Sequence, residues 1–168
     1  YLKAIGQVIE SKHIEFEGIH CHVGSQIENI DAYVLAMQKF VEFSYEIYKK
    51  FGVVIKKLNA GGGFGIQYTK DDKPLDFDIV TKTIVNIVNT GFEAMGWERP
   101  MILIEPGRYV VGNAGITLYT VGSIKEIPDI RKYISVDGGM NENIRPSLYQ
   151  SRYDAIVANK AEEEKDTL

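Results

Sequence analysis

Short apolar runs recur along the first two thirds of the chain, and each lies next to a stretch with helical periodicity. The apolar runs lie at about residues 15–23, 53–59 and 101–104. Their continuous hydrophobicity is typical of strands that are buried on both faces. Because strands and helices alternate, the pattern predicts parallel β/α units.

Three amphipathic stretches predict helices around these strands. The first opens the chain, with apolar residues at positions 2, 5 and 9 on one face. The second covers about residues 29–50, and Gly52 is placed to end it as a C-terminal cap. The third starts at an aspartate near residue 76 and is expected to end near Gly91.

The pattern changes near residue 113. Residues 115–127 and 131–137 read as two strands joined by a turn at Pro128-Asp129, with no helix between them. We therefore expect residues 1–113 to be part of a β/α unit and residues 114–168 to start an all-β domain. Because residue 1 already lies within a helical pattern, we expect the chain to be an internal segment of a longer protein.

Composition narrows the class of protein. The 168 residues are 45% hydrophobic, which is enough for one core, and the net charge of -4 argues against a nucleic-acid groove. No apolar run has the length of a membrane span, so no membrane contact is expected. The single cysteine excludes an internal disulfide, which favours a reducing compartment such as the cytoplasm.

Unusual residues follow all three predicted strands, in the segments HCHVGSQ (20–26), NAGGGFG (59–65) and EPGR (105–108). The carboxyl ends of parallel strands meet at one edge, and in β/α barrels that edge carries the site. The three segments together therefore predict one functional site rather than three structural loops.

The residue types in these segments suit an anionic ligand. The run Gly61–Gly63 can bring backbone N–H groups close to an anion, or it can simply make a sharp turn. We expect Arg108 to add a charged fork for the same anion, a phosphate. Glu105 follows an apolar strand, where a carboxylate needs a partner, either an arginine or a protonated ligand group such as a pyridinium nitrogen.

Two of the three histidines lie in the first segment. Alternation along a strand puts His20 and His22 on one face and Cys21 on the other. An HxH pair can bind zinc in hydrolases, but only His13 remains as a further histidine, so no metal site is predicted. We expect His20 to be a satisfied core histidine and His22 to face a ligand.

Four motifs in register resemble fold-type III pyridoxal-phosphate-dependent decarboxylases: HCHVGSQ, NAGGGFG, EPGRYVVGNAG and VDGGMNENIRPSLY. The last motif, with its continuation QSRYDAIVANK, is similar to the diaminopimelate branch of that family. The resemblance implies the later part of a parallel β/α (TIM-type) barrel followed by the start of an all-β domain. It also implies a homodimer with shared active sites and pyridoxal 5'-phosphate as the cofactor.

The resemblance also assigns roles. His22 and Glu105 would be catalytic, with His22 stacked on the cofactor ring and Glu105 bonded to its nitrogen. The implied cofactor-binding residues are His22, Ser25, Gly61, Gly62, Gly63, Glu105, Pro106, Gly107 and Arg108. The implied substrate-binding residues are Arg108, Arg145 and Tyr149. The family's Schiff-base lysine and proton-donor cysteine are expected outside this chain, and Cys21 is not expected to be that cysteine. The segment alone would therefore be inactive.

The implied reaction converts meso-diaminopimelate, a small amino acid, to L-lysine and CO2. Alternatives within the same fold are ornithine, arginine or carboxynorspermidine decarboxylases, and Tyr109 resembles the ornithine and arginine branch. A non-catalytic pyridoxal-phosphate-binding protein is a further alternative, but such barrels lack a second domain.

Overall fold

The computed structural model describes residues 1–163 and divides into two units. Residues 1–66 and 73–113 form the first unit. Residues 67–72 join the residues from 114 onward in the second unit. No helix among the described residues is long and apolar enough to cross a membrane.

A three-stranded parallel sheet lies at the centre of the first unit. Its strands are β1 (Gly18–His20), β2 (Lys57–Asn59) and β3 (Met101–Leu103), with β2 in the middle. The prediction of three strands in parallel β/α units is confirmed. Each strand has only three residues, since neighbouring strands are paired at only three positions.

Among the described residues, the buried core covers only one face of this sheet. Ile19, Leu58 and Ile102 share one row of the register, and all three belong to or pack against the buried core. The rows on either side point to the other face, where Met101 is 59% and Leu103 is 39% exposed. The prediction that the strands are buried on both faces is therefore wrong for this structure, because the helices cover one face alone.

The three predicted helices are confirmed as α1 (Leu2–Glu10), α2 (Asp31–Phe51) and α3 (Phe77–Ala94). Gly52 ends α2 with a φ of 69°, a conformation that glycine adopts without strain. Asp76 caps α3, since its side chain accepts hydrogen bonds from the N–H groups of Asp78 and Ile79. Helices α2 and α3 pack on each other.

Helix α3 runs three residues beyond its predicted end near Gly91, to Ala94. Gly91 lies inside the helix, where a Cβ atom would come within 2.5 Å of the Val41 side chain on α2. The glycine is needed there for close helix packing, and the chain turns only at Gly96, which has a φ of 70°. The buried core of the unit consists of Tyr33, Met37, Phe40, Ile47, Ile55, Leu58, Ala60, Phe64, Val80, Ile84, Val88 and Phe92. Burial of each of the larger side chains contributes about 1.5–3 kcal/mol.

A short helix, α4 (Gly107–Val111), completes the first unit and was not predicted from the sequence. The second unit contains an antiparallel pair, β4 (Val121–Ile127) and β5 (Arg131–Val136). The predicted turn between them is confirmed, with Asp129 at a φ of 61°. The first of these strands is shorter than expected, since residues 115–120 are not in a strand.

Two further short helices of the second unit were not predicted: α5 (Arg145–Tyr149) and a 3₁₀-helix (Ala158–Lys160). A residue that precedes proline generally favours an extended backbone, yet Arg145, which precedes Pro146, begins α5. Proline is tolerated in the first turn of a helix, where its missing N–H has no partner to lose.

Candidate functional site

A cavity of about 200 Å³ lies at the carboxyl end of the sheet in the first unit. It is lined by His22, Ser25, Gln26, Gly63, Phe64, Glu105, Pro106, Gly107, Arg108 and Tyr109. These residues come from the three segments that follow β1, β2 and β3. Seven of the nine expected cofactor residues therefore line one cavity, while Gly61 and Gly62 lie beside it.

The glycine run is required by close approach of other backbone segments. A Cβ on Gly61 would lie 2.3 Å from the carbonyl oxygen of Cys21, and one on Gly62 would lie 2.0 Å from that of Glu105. Gly61 and Gly63 also have φ values of 69° and 88°, which disfavour other residues. The glycine run thus passes close to the backbone of the segments that follow β1 and β3.

Two of the N–H groups in this run are already engaged. Gly61 N–H donates to Asn59 Oδ1 at 2.9 Å, and Gly62 N–H donates to His22 Nδ1 at 3.3 Å. The expectation that the run offers several N–H groups to an anion is therefore wrong for these two residues. Of the three glycines, only Gly63 lines the cavity.

The bond from Gly62 also orients the imidazole of His22. Because Nδ1 accepts this hydrogen bond, the neutral ring carries its proton on Nε2. His20 does not behave as predicted, since its side chain is half exposed and its Nε2 lies 3.6 Å from Glu105 Oε2. It is not a core histidine, because it lies on the uncovered face of the sheet. Among residues 1–163, no group of three or more His, Cys, Asp and Glu side chains could hold a metal ion.

Glu105 is held by an amide rather than by an arginine. Its Oε1 accepts a hydrogen bond of 2.7 Å from Asn59 Nδ2, and its backbone N–H donates to the carbonyl of Gly61 at 2.7 Å. Sequence reasoning missed Asn59. The signal was its position, since it is the last residue of the central strand and precedes the glycine run.

Gln26 is a second residue that sequence reasoning missed. Its side chain exchanges two hydrogen bonds with the backbone of Ile66, at 2.5 Å and 3.3 Å, as a strand residue would. Its Oε1 also accepts a bond from Arg108 at 3.5 Å, which holds the guanidinium at the cavity. Gln26 has a φ of 56° and follows Ser25 directly.

Cys21 packs against the buried core of the first unit. Partial burial raises the pKa of its thiol, so the neutral thiol is favoured. Tyr109, which resembled another branch of the family, stacks on Phe77 at 4.5 Å and meets the edge of Phe64 at 6.5 Å. These contacts account for the tyrosine by packing within the first unit.

The charged and hydrogen-bonding groups of the cavity fit pyridoxal phosphate. The Glu105 carboxylate suits a protonated ring nitrogen, and the imidazole of His22 offers a flat face to a ring. The hydroxyl of Ser25 and the guanidinium of Arg108 suit a phosphate. The backbone of Gly107 has free space beside it, since a Cβ there would meet no atom within 4 Å.

The predicted substrate residues Arg145 and Tyr149 lie in the second unit, where several side chains surround the arginine. Its Nε donates to the Tyr153 hydroxyl at 3.0 Å, and another guanidinium nitrogen lies 3.3 Å from Ser151 Oγ. The guanidinium carbon lies 5.7 Å from the ring centre of Tyr68 and 5.8 Å from that of Tyr149. The charge is thus oriented by two hydroxyls and two aromatic faces.

Comparison with known proteins agrees with this chemistry. A diaminopimelate decarboxylase of Bacillus subtilis is 49% identical over 164 residues, which are 98% of this chain and 37% of the relative. That of Staphylococcus aureus is 43% identical, covering 99% of this chain and 38% of the relative. This chain thus spans little more than a third of the length of these relatives.

Solved structures give the same picture. The crystal structure of diaminopimelate decarboxylase from M. jannaschii in co-complex with L-lysine matches with a TM-score of 0.81 and 34% identity, covering 91% of this chain and 34% of that chain. The family described as "Pyridoxal-dependent decarboxylase, pyridoxal binding domain" matches residues 1–112. The chain belongs to this family of pyridoxal-dependent decarboxylases.

Proposed function

We propose that the full-length protein is a pyridoxal-phosphate-dependent decarboxylase that converts meso-diaminopimelate to L-lysine and CO2. The observation that carries the proposal is the cavity at the carboxyl end of the sheet, which collects seven of the expected cofactor residues. The identity of 49% to a diaminopimelate decarboxylase supports the choice of substrate.

In this proposal β1–β3 are consecutive strands of a TIM-type β/α barrel, and residues 1–113 bind the cofactor. Residues 114–168 start a β-domain that carries the substrate-binding loop. The parallel order of the strands and the location of the cavity at their carboxyl ends support this assignment. The full-length protein would be a cytoplasmic homodimer with shared active sites, and its Schiff-base lysine and proton-donor cysteine would lie outside this chain.

Six of the ten residues that line the cavity, and the two glycines beside it, then have a task. Glu105 accepts a hydrogen bond from the protonated ring nitrogen, and His22 covers one face of the ring. Ser25, Gly63, Gly107 and Arg108 bind the phosphate, while Gly61 and Gly62 shape the turn that brings Gly63 to it. When bound, pyridoxal phosphate supplies the electron sink for the pair released as CO2 leaves the α-carbon.

Arg145 would select the substrate. Diaminopimelate differs from a simple diamino acid by a carboxylate on its far carbon, and burial of that charge without a partner costs several kcal/mol. A guanidinium already oriented by Tyr153 and Ser151 suits this carboxylate, with Tyr149 beside it. Tyr109 stacks on Phe77, so its ring also contributes to packing within the first unit.

The test uses the full-length protein loaded with pyridoxal phosphate. CO2 release is measured with meso-diaminopimelate, ornithine, arginine and carboxynorspermidine, and we expect a clear preference for diaminopimelate. Arg145→Ala should raise the KM for diaminopimelate by the equivalent of about 2–5 kcal/mol, since it leaves a buried carboxylate unpaired.

Arg131→Ala is the matched control for this test. Arg131 begins β5, and its guanidinium lies over the exposed ring of Tyr133. Its removal takes away the same charge without touching the surroundings of Arg145. A wild type that prefers ornithine would refute the choice of substrate, and equal effects of the two variants would refute the role of Arg145.

A further inference from the structure

Asn59 connects all three segments of the cavity. Its backbone oxygen accepts a hydrogen bond of 3.1 Å from Cys21 N–H, after β1. Its side-chain oxygen accepts from Gly61 N–H at 2.9 Å, and its side-chain nitrogen donates to Glu105 Oε1, after β3, at 2.7 Å. The last residue of the central strand therefore bonds to the ends of both neighbouring strands.

The amide of Asn59 can satisfy these bonds in one orientation only. A backbone N–H can donate but not accept, so the atom that faces Gly61 must be the oxygen. The NH2 group must then face Glu105. Reversal of the amide would set two donors against each other at Gly61 and two acceptors against each other at Glu105.

This fixed donor holds one oxygen of a side chain that is about half exposed. The bond from Asn59 is made to Oε1 of Glu105, at 2.7 Å. The nearest histidine nitrogen, Nε2 of His20, lies 3.6 Å from Oε2, which is too distant for a hydrogen bond. A carboxylate held at Oε1 keeps Oε2 in one place as an acceptor.

We propose that Asn59 is a positioning residue, which holds the Glu105 carboxylate so that its second oxygen meets the ring nitrogen of the cofactor. This inference rests on the proposed function, because it needs a cofactor that presents a protonated nitrogen. Asn59 is not among the residues that line the cavity, so it would act through Glu105. The same side chain fixes the start of the glycine run, so the ring site and the turn beside it share one anchor.

Two substitutions separate these two tasks. Asn59→Asp keeps an oxygen to accept from Gly61 N–H but replaces the donor to Glu105 by a second carboxylate oxygen. Asn59→Ala removes both bonds. If Asn59 serves only to tie the strand end, the Asn59→Asp variant retains that tie and should bind cofactor as the wild type does.

The experiment measures pyridoxal phosphate affinity, the absorption spectrum of the bound cofactor and the kinetics of the full-length protein. At about pH 8 we expect Asn59→Asp to weaken cofactor binding by about tenfold or more, because two carboxylates then face each other. We expect kcat to fall and the KM for the amino acid to stay within about twofold, since Asn59 does not reach the substrate. Asn59→Ala should weaken binding as well and lower the stability of the cofactor-free protein.

The outcomes distinguish failure of the proposed function from failure of the positioning role of Asn59. A wild type that fails to bind pyridoxal phosphate refutes the proposed function. A wild type that binds it, with Asn59→Asp within about twofold of the wild-type affinity at about pH 8, refutes the positioning role alone. Should the Asn59→Asp variant fail to fold, an Asn59→Ala protein with unchanged affinity and spectrum gives the same refutation.

Discussion

The sharpest test of the packing at the glycine run is the substitution Gly62→Ala. The added Cβ would lie 2.0 Å from the carbonyl oxygen of Glu105 and 3.0 Å from its carbonyl carbon. Both are backbone atoms, so no side-chain rotation can relieve the contact. Gly62 does not have a positive φ, so the effect of the substitution is steric rather than conformational.

The magnitude follows from two contributions. Overpacking of a tight site costs typically about 1–3 kcal/mol, and displacement of Gly62 strains or breaks the 3.1 Å hydrogen bond from Tyr33 to its carbonyl, worth about 1 kcal/mol. We therefore expect the free energy of unfolding to fall by about 2–4 kcal/mol. Cofactor affinity should fall with it, because the displaced backbone atom belongs to Glu105.

The assay is urea unfolding of the full-length protein without cofactor, with the slope of the transition checked for constancy. Gly107→Ala is the matched control for stability, because a Cβ at Gly107 would meet no atom within 4 Å. A loss below about 0.5 kcal/mol for Gly62→Ala, or an equal loss in both variants, would show that close backbone approach does not explain the glycine.

Two further predictions concern single hydrogen bonds. Tyr33→Phe keeps a fully buried ring but leaves the Gly62 carbonyl without its donor, so urea unfolding should show a loss of about 1–3 kcal/mol, and a loss below about 0.5 kcal/mol would contradict this. Asp137 accepts a 2.7 Å bond from Thr120 N–H, which lowers its pKa from 3.8. Its charge therefore stabilises the fold above pH 3.8, and this stabilisation is lost as the pH falls through the lower pKa of the folded state. The difference in melting temperature between the wild type and Asp137→Asn should thus shrink toward acid pH, and a difference that grows there would refute the assignment.

Local patterns predicted the three strands and the three longer helices of the first unit, but they could not distinguish the roles of residues of one type. Gly52 and Gly91 both follow an apolar helical stretch, yet the first ends its helix and the second lies within one. The distinction depends on Val41, a residue of the other helix that the sequence alone does not place beside Gly91. Long-range contacts of this kind have no signature in a single sequence.

In the candidate site, too, some residues could be predicted from the sequence and others could not. His22 and Glu105 were found because histidine and glutamate at strand ends are chemically conspicuous. Asn59 and Gln26 were missed because their partners are distant in sequence: Glu105 lies 46 positions after Asn59, and Ile66 lies 40 positions after Gln26. An amide has no charge to draw attention and is common in loops, so only its partners reveal its role.

The register of the parallel sheet also constrains how the protein folds. Ile19 pairs with Leu58 and Leu58 with Ile102, so the paired residues are about forty positions apart in the sequence, with a helix between them. The sheet therefore forms through long-range contacts. The β4–β5 hairpin, by contrast, closes over a short turn. Because the cavity needs the ends of all three parallel strands, it exists only after the last of them has docked. A ligand of this cavity therefore binds the fully assembled unit, and slows its unfolding rather than guiding its folding.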